Sequence, residues 1–197
     1  MKPRIEWLLC SLALVSACND RGEQPGTRGT PDAGASLAVS PTAHPELTTN
    51  SAMNAATLRF VDTVAAANRY EIAAAHKAKI HAGTKAIRDL ADTIIKDHEK
   101  AQDDLENTLK DASLRVGVSR HLSDDQQAKL DALDKAGTNF DRTYLEQQIA
   151  AHQGALALLR DYAGSGDNAA LAGFAKRTAP TVENHLDVAR HLAEAKP

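Results

Sequence analysis

From about residue 52 onward, apolar side chains return at every third or fourth position through one stretch after another. This periodicity constrains the fold more than any other feature, because a residue that recurs every 3.6 positions stays on one face of a helix. The spacing predicts a first helix over about 54–81, ending before Gly83, and a second over about 85–112 with Thr84 as its N-cap. In the second, Ile87, Leu90, Ile94, Ala101, Leu105 and Leu109 keep the three-four rhythm. A connection over 113–122 contains Gly117 and leads to Ser123-Asp124-Asp125-Gln126, a capping-box pattern that opens a short helix over about 124–135. Thr138 or Asn139 then caps a third long helix, about 139–163, and Gly164-Ser165-Gly166 breaks the chain. A shorter helix, about 168–178, precedes Pro180, which lacks an N–H and is expected to kink or restart the final helix over about 181–195. Aromatic residues are only 4% of the chain, while Ala and Leu are plentiful, which favours packed helices over strands. The expected fold class is all-α: an antiparallel four-helix bundle with an extra short helix and a kinked last helix.

The first fifty residues follow other rules. Lys2 and Arg4 precede a short apolar run, Trp7 to Val15, which falls short of the roughly 20 residues a bilayer span needs. Val15-Ser16-Ala17-Cys18 follows, an aliphatic residue and two small ones before a cysteine, and it resembles the bacterial lipobox. The resemblance implies a lipoprotein signal peptide over 1–17, cleavage before Cys18, and acylation of Cys18 as a membrane anchor. Asn19, rather than Asp, after the cysteine leans toward the outer membrane, facing the periplasm. Residues 18–51 then comprise the lipidated cysteine and a flexible tether rich in Gly, Pro, Ser, Thr and Ala, and 52–197 the helical domain. The net charge is −3 and no basic tract lies beyond the first few residues, so nucleic acid is not an expected partner. The membrane, through Cys18, is the one partner the sequence suggests.

The functional interest lies in polar residues that interrupt the apolar stripes. His98 sits among Ile87, Leu90, Ile94, Ala101 and Leu105; His152 among Leu145, Ile149, Leu156 and Leu159. His185 lies with Val182, Ala189 and Leu192, and Glu71 with Val64, Ala67, Ala74 and Ala78. One ionisable group per long helix is therefore expected to face the same interior. A buried charge without a partner costs several kcal/mol, roughly, so such groups are expected to meet. Three imidazoles and a carboxylate suit a transition metal ion such as Zn, Fe, Cu, Mn or Ni, with His98, His152, His185 and Glu71 as ligands. Asp97 and Glu183 are positioned by sequence to orient the imidazoles from outside the ligand set. The alternative is a purely structural Glu–His network that fixes helix register in a non-catalytic envelope module. His44 falls in the tether and His121 in a connection, His76 and His81 are five apart and His191 is six from His185, which is not same-face ligand spacing, and all five read as solvated or partly exposed.

Catalysis is the weaker expectation. The Glu-x-x-His signature of di-iron bundles is absent, since Ile95 and Val182 stand three residues before His98 and His185. There is no Gly-x-Ser-x-Gly and no phosphate-cradling loop.

The region from about Ala52 to Lys196 resembles a bacterial exported family, domain of unknown function 4142. The matching pieces are Tyr70-Glu71-Ile72, Ile94-Ile95-Lys96-Asp97-His98, Phe140-Asp141-Arg142-Thr143-Tyr144-Leu145 followed by His152, and Ala179-Pro180-Thr181-Val182-Glu183-Asn184-His185-Leu186. The resemblance implies a ferritin-like helical bundle in the cell envelope and no settled activity. Two positions depart from the family's pattern: Ala151 stands where an Asp often precedes the third helix's histidine, and His76 where a small or apolar residue is expected.

Overall fold

Four of the five described α-helices start where the sequence offers a side-chain oxygen to their free N–H groups. The Asn54 side chain accepts from the N–H groups of Ala56 and Thr57 and opens α1, Ala55–His81. Thr84 caps α2, Lys85–Asp111, by accepting from Ile87. Ser123 and Gln126 form a reciprocal capping box at α3, Asp124–Asp134, and the Asn168 side chain caps α5, Ala169–Glu194. The helix between them, α4 at Phe140–Ser165, begins differently. A single 3-10 turn, Gly137–Asn139, feeds straight into it, and neither Thr138 nor Asn139 makes a side-chain cap. Gly137 takes φ +52°, a left-handed backbone that a residue with a Cβ adopts only with strain. The computed structural model describes residues 54–118 and 120–195. The expected signal peptide, Cys18, the tether and His44 lie outside the described residues.

The two final helices expected around Pro180 are one: α5 runs through it. Pro180 and Lys176, whose carbonyl it leaves without a helical partner, are both on the exposed side, where water serves that oxygen. The local penalty, about 3 kcal/mol for an interior proline, is outweighed by the apolar face on both sides of it, which buries Phe174 and Ala175 before the proline and Val182 and Leu186 after it.

The directions of the helices follow from contacts at their ends. Phe60, near the start of α1, stacks on Tyr162, near the end of α4, with ring centroids 3.8 Å apart. The Gly83 N–H, just past α1, donates to Asp141 at the start of α4 (2.9 Å). These helices are antiparallel. Three-residue links also make α1/α2 and α4/α5 antiparallel hairpins. So α2 and α4 run the same way, and residues 112–139 must travel the length of the bundle to join them. This is an all-helical, ferritin-like bundle with one long crossover. Along that crossover α3 lies against α1 and α4, burying Leu130 and Leu133, with Lys77 paired to Asp134 (2.5 Å).

The core is not continuous. One apolar cluster contains Ala74, Ile87, Leu90, Ile94, Leu133, Phe140 and Tyr144; the other contains Phe60, Val61, Leu105, Leu159, Leu171 and Phe174. Between them lie most of the buried polar side chains: Asn68, Glu71, His98, Gln148, His152 and His185. Among the described residues no helix is long and apolar enough to cross a membrane.

Leu105 has no exposed surface and packs in the second cluster. Truncating it leaves a cavity that neighbours on four helices cannot all relax into. Leu105→Ala is expected to cost about 2–5 kcal/mol in urea unfolding at unchanged m-value; a loss near zero would show that this end of the bundle is not closely packed.

Candidate metal centre

Asn68 and His98 stand at mid-length of α1 and α2, and His152 at mid-length of α4. Antiparallel neighbours of equal length bring their midpoints level. His185 of α5 completes the layer. One ring nitrogen from each of His98, His152 and His185 lies within 4.8 Å of the others. The ring centroids are 5.4–5.6 Å apart, and all three residues are buried.

Each imidazole is also held from one side. His98 Nδ1 lies 3.0 Å from Asn68 Oδ1, His152 Nδ1 lies 2.9 Å from the Gln148 carbonyl, and His185 Nε2 lies 3.0 Å from Asp97 Oδ2. All three partners are acceptors, so those ring nitrogens carry the proton. The Asn68 amide is oriented to suit, with its NH2 group toward Gln102 Oε1 (3.5 Å). The nitrogens left over are His98 Nε2, His152 Nε2 and His185 Nδ1. All three are buried without a hydrogen-bond partner. In these tautomers each is a bare lone pair.

Three of the four expected ligands come together, and Glu71 does not join them. Asn68, one turn nearer the start of α1, takes the place facing His98. Glu71 lies instead at the level of Gln148 and Tyr144, toward the other end of the bundle. It is 3% exposed, and neither of its oxygens meets a partner in hydrogen-bonding geometry, although the Gln148 amide is its neighbour. Asp97 does hold an imidazole, that of His185 on the facing helix rather than its chain neighbour His98. Glu183 does not: two residues turn a helix by about 200°, so it points away from His185 and pairs with Arg160 at 2.6 Å. His76, His81, His121 and His191 are exposed. Asn68 and Gln148 escaped the sequence reading. The available signal was their spacing, three before Glu71 and four before His152, which puts each on a buried face.

Two cavities reach the layer through the seams between the hairpins. One, about 430 Å³, is lined by α2 and α5 and includes Asp97, Asp104, Asp111, His98 and His185. The other, about 420 Å³, is lined by α1 and α4 under α3, with Val64, Ala67, Ala151 and Leu158 as walls and Glu71, His98 and His152 among its lining residues.

The family described as Domain of unknown function (DUF4142) matches residues 42–192. The chain belongs to that family. A crystal structure of a DUF305 fragment from Deinococcus radiodurans is similar in fold, with a TM-score of 0.63 at 15% identity, covering 73% of this chain and 98% of that one. Comparison with curated proteins gives no match. The DUF4142 match runs past His185 and so takes in the whole polar layer.

Burial dominates the electrostatics of the layer. It drives His98 well below the ordinary imidazole range, and the neighbouring His152 and His185 add to this. Burial lowers His152 to about 4 against the opposing Gln148 carbonyl hydrogen bond, and lowers His185 against the opposing Asp97. Burial raises the Glu71 carboxyl to about 8, opposed by Gln148 and Lys129. At neutral pH the three imidazoles are therefore uncharged. The two kinds of shift have opposite consequences for stability. Below the ordinary value of 6.5 the unfolded chain takes up histidine protons that the fold excludes, so stability falls with acid down to about pH 4. Above 4.5 the unfolded chain releases the Glu71 proton that the fold keeps, so that contribution falls as pH rises to about 8. Between 4.5 and 6.5 three histidines outweigh one carboxyl. Urea midpoints of metal-free protein are thus expected to peak near pH 6.5, and Glu71→Gln to remove the decline on the alkaline side. A midpoint that rises steadily from pH 7 to 8 in the wild type would contradict this assignment.

Proposed function

We propose that this DUF4142 protein is a metal-binding bundle of the bacterial envelope, in which His98, His152 and His185 hold one first-row transition cation. The observation that carries the reading is the set of three buried lone pairs. In a purely structural network, donors face acceptors. Here three acceptors gather with no donor among them, an arrangement costing about 1–3 kcal/mol for each unsatisfied group, and a cation satisfies all three at once.

The chemistry narrows the cation. Neutral imidazoles suit Zn, Cu, Ni and Fe, whereas Ca and Mg demand oxygen ligands. A point equidistant from three atoms 4.8 Å apart lies about 2.8 Å from each, against about 2.0–2.1 Å for a His–Zn bond, so each ring must close in by about 0.7 Å at most. Rotamer adjustment within a side chain supplies that. Asn68, the Gln148 carbonyl and Asp97 already select the tautomers a cation needs. Capture of a transition cation for buffering or delivery is the role that follows, with Cys18 acylation keeping the domain at the membrane. The lipobox resemblance supports the anchor, and Cys18→Ser is expected to move the protein from the membrane to the soluble envelope fraction.

A second reading has its own support. His98 ties α2 to α1 through Asn68, and His185 ties α5 to α2 through Asp97, so the same layer can serve only to fix helix register. Metal content separates the two. Untagged wild-type protein equilibrated with Zn or Cu is expected to hold about one ion per chain, and the His98→Ala/His185→Ala pair none, with helical content retained. Asp97→Asn is expected to weaken binding by about 10–100-fold, as loss of an orienting carboxylate does. Equal metal in the wild type and the double variant would leave only the structural role.

A further inference from the structure

The two cavities that meet at the histidines differ in chemistry. The α2/α5 cavity is lined by Asp97, Asp104 and Asp111 along one side of α2, with Lys100 and Arg177 also present, and suits a hydrated cation. The α1/α4 cavity has walls of small and aliphatic side chains, Val64, Ala67, Ala151, Ala155 and Leu158. Its volume, about 420 Å³, lies within the range of small-molecule pockets, about 300–1,000 Å³. Polar residues also line it, with Ser123, Asp125, Gln126 and Lys129 from the α3 side and Asn68, Glu71, His98 and His152 from the bundle, and the two Glu71 oxygens are unpartnered. Three protein ligands leave a cation with an open position, the mark of a centre that takes an exogenous ligand rather than a closed structural site.

We infer that the α1/α4 cavity binds a small organic acid, its carboxylate completing the cation's coordination and its short apolar body lying against Ala67, Ala151 and Leu158. The inference rests on the three-histidine reading and names what that centre is for. Neutral imidazoles leave the cation's charge uncompensated, and an anionic head supplies the missing charge. Glu71 is too far from the histidine group to be a ligand itself, yet it lines the same cavity. In the metal-free fold burial raises its carboxyl to about 8, and its two oxygens face the cavity side with no partner, so a protonated Glu71 donates a hydrogen bond to a carboxylate instead of repelling it. Lys129 of α3 also lines the cavity, but it is paired with Asp125 at 2.6 Å, so the pair is close to neutral and neither attracts nor repels an incoming anion strongly. The apolar walls favour a chain of a few carbons over a bare inorganic anion, because each methylene buried adds roughly 0.8 kcal/mol.

The full-length chain loaded with Co(II) tests this, since the visible absorption of Co(II) reports its coordination number. Titration with butyrate is expected to change the spectrum saturably, and acetate to require a higher concentration. Ala67→Phe and Ala151→Phe, which fill the cavity from opposite walls, are expected to abolish the butyrate effect while Co(II) stays at about one per chain. Glu71→Leu, which removes the donor, is expected to weaken butyrate about tenfold, the worth of a hydrogen bond to a charged group, while Glu71→Gln, which keeps a neutral donor, stays close to the wild type. If Co(II) binds but butyrate leaves its spectrum unchanged, the organic-acid site is refuted and the metal centre stands. The same holds if both filled variants respond like the wild type, because the acid then arrives from the α2/α5 side. If no Co(II) binds, both readings fall together.

Discussion

A layer of buried polar side chains at mid-height organises this bundle. Six of them interrupt what would otherwise be one apolar core, and among the described residues ten buried side-chain nitrogen and oxygen atoms lack a partner, seven of them in this layer: three imidazole nitrogens, both Glu71 oxygens, and the Gln148 amide oxygen and nitrogen. Such a layer opposes folding, so the apolar clusters above and below must close well enough to carry it. They do so with different materials. The cluster around Ile94 and Tyr144 is sealed by α3, whereas the one around Phe60 and Phe174 is sealed by the Phe60–Tyr162 stack and by hydroxyl contacts among Thr57, Tyr162 and Asp167. The layer also sets register. A one-residue slip of α5 would swing His185 about 100° away from Asp97 and its partners, exposing a polar group to an apolar wall.

Connectivity decides where that layer can be reached. The three-residue links of α1/α2 and α4/α5 draw those pairs together along their length. The seams between the hairpins, α1/α4 and α2/α5, have no short link to close them, and both cavities lie there. The crossover then treats the seams unequally: α3 covers α1/α4 and leaves α2/α5 uncovered. A ferritin-like topology with a single long connection thus leaves two unlike cavities at the polar layer, one along α2 and α5 with three aspartates, the other between α1 and α4 with aliphatic walls and α3 above it.

Much of this was legible in the residues alone, because helix periodicity is a local property. Helix limits fall within two residues of the expected ones for α1 to α4, and the caps Thr84 and Ser123 act where their spacing places them. Pro180 misled because local propensity counts the missing hydrogen bond and not the buried faces on either side of it. The three histidines were visible as interruptions of apolar stripes. The stripe specifies a direction, however, and not a height along the bundle axis. Glu71 and Asn68 are one turn apart on the same face of α1, and only the register between antiparallel helices decides which of them meets His98. Glu183 shows the complementary error, since nearness in sequence to His185 puts it on the opposite face.

The layer's composition bears on how binding and folding are coupled. Three unsatisfied imidazole nitrogens cost on the order of 3–9 kcal/mol together, taking about 1–3 for each. A cation at a thousand times its dissociation constant returns about 4 kcal/mol, a sum of the same order. A domain with only this layer for a core would unfold without its ion, as small zinc domains do. Here the two apolar clusters stand on either side of the site and bury most of the large side chains without its help. The metal-free bundle therefore keeps its fold with three lone pairs already aimed by Asn68, Gln148 and Asp97. Under the proposed metal-binding function, a site held in this way would spend little of its affinity on ordering the chain and would release an ion without unfolding, which is what a carrier or buffer requires.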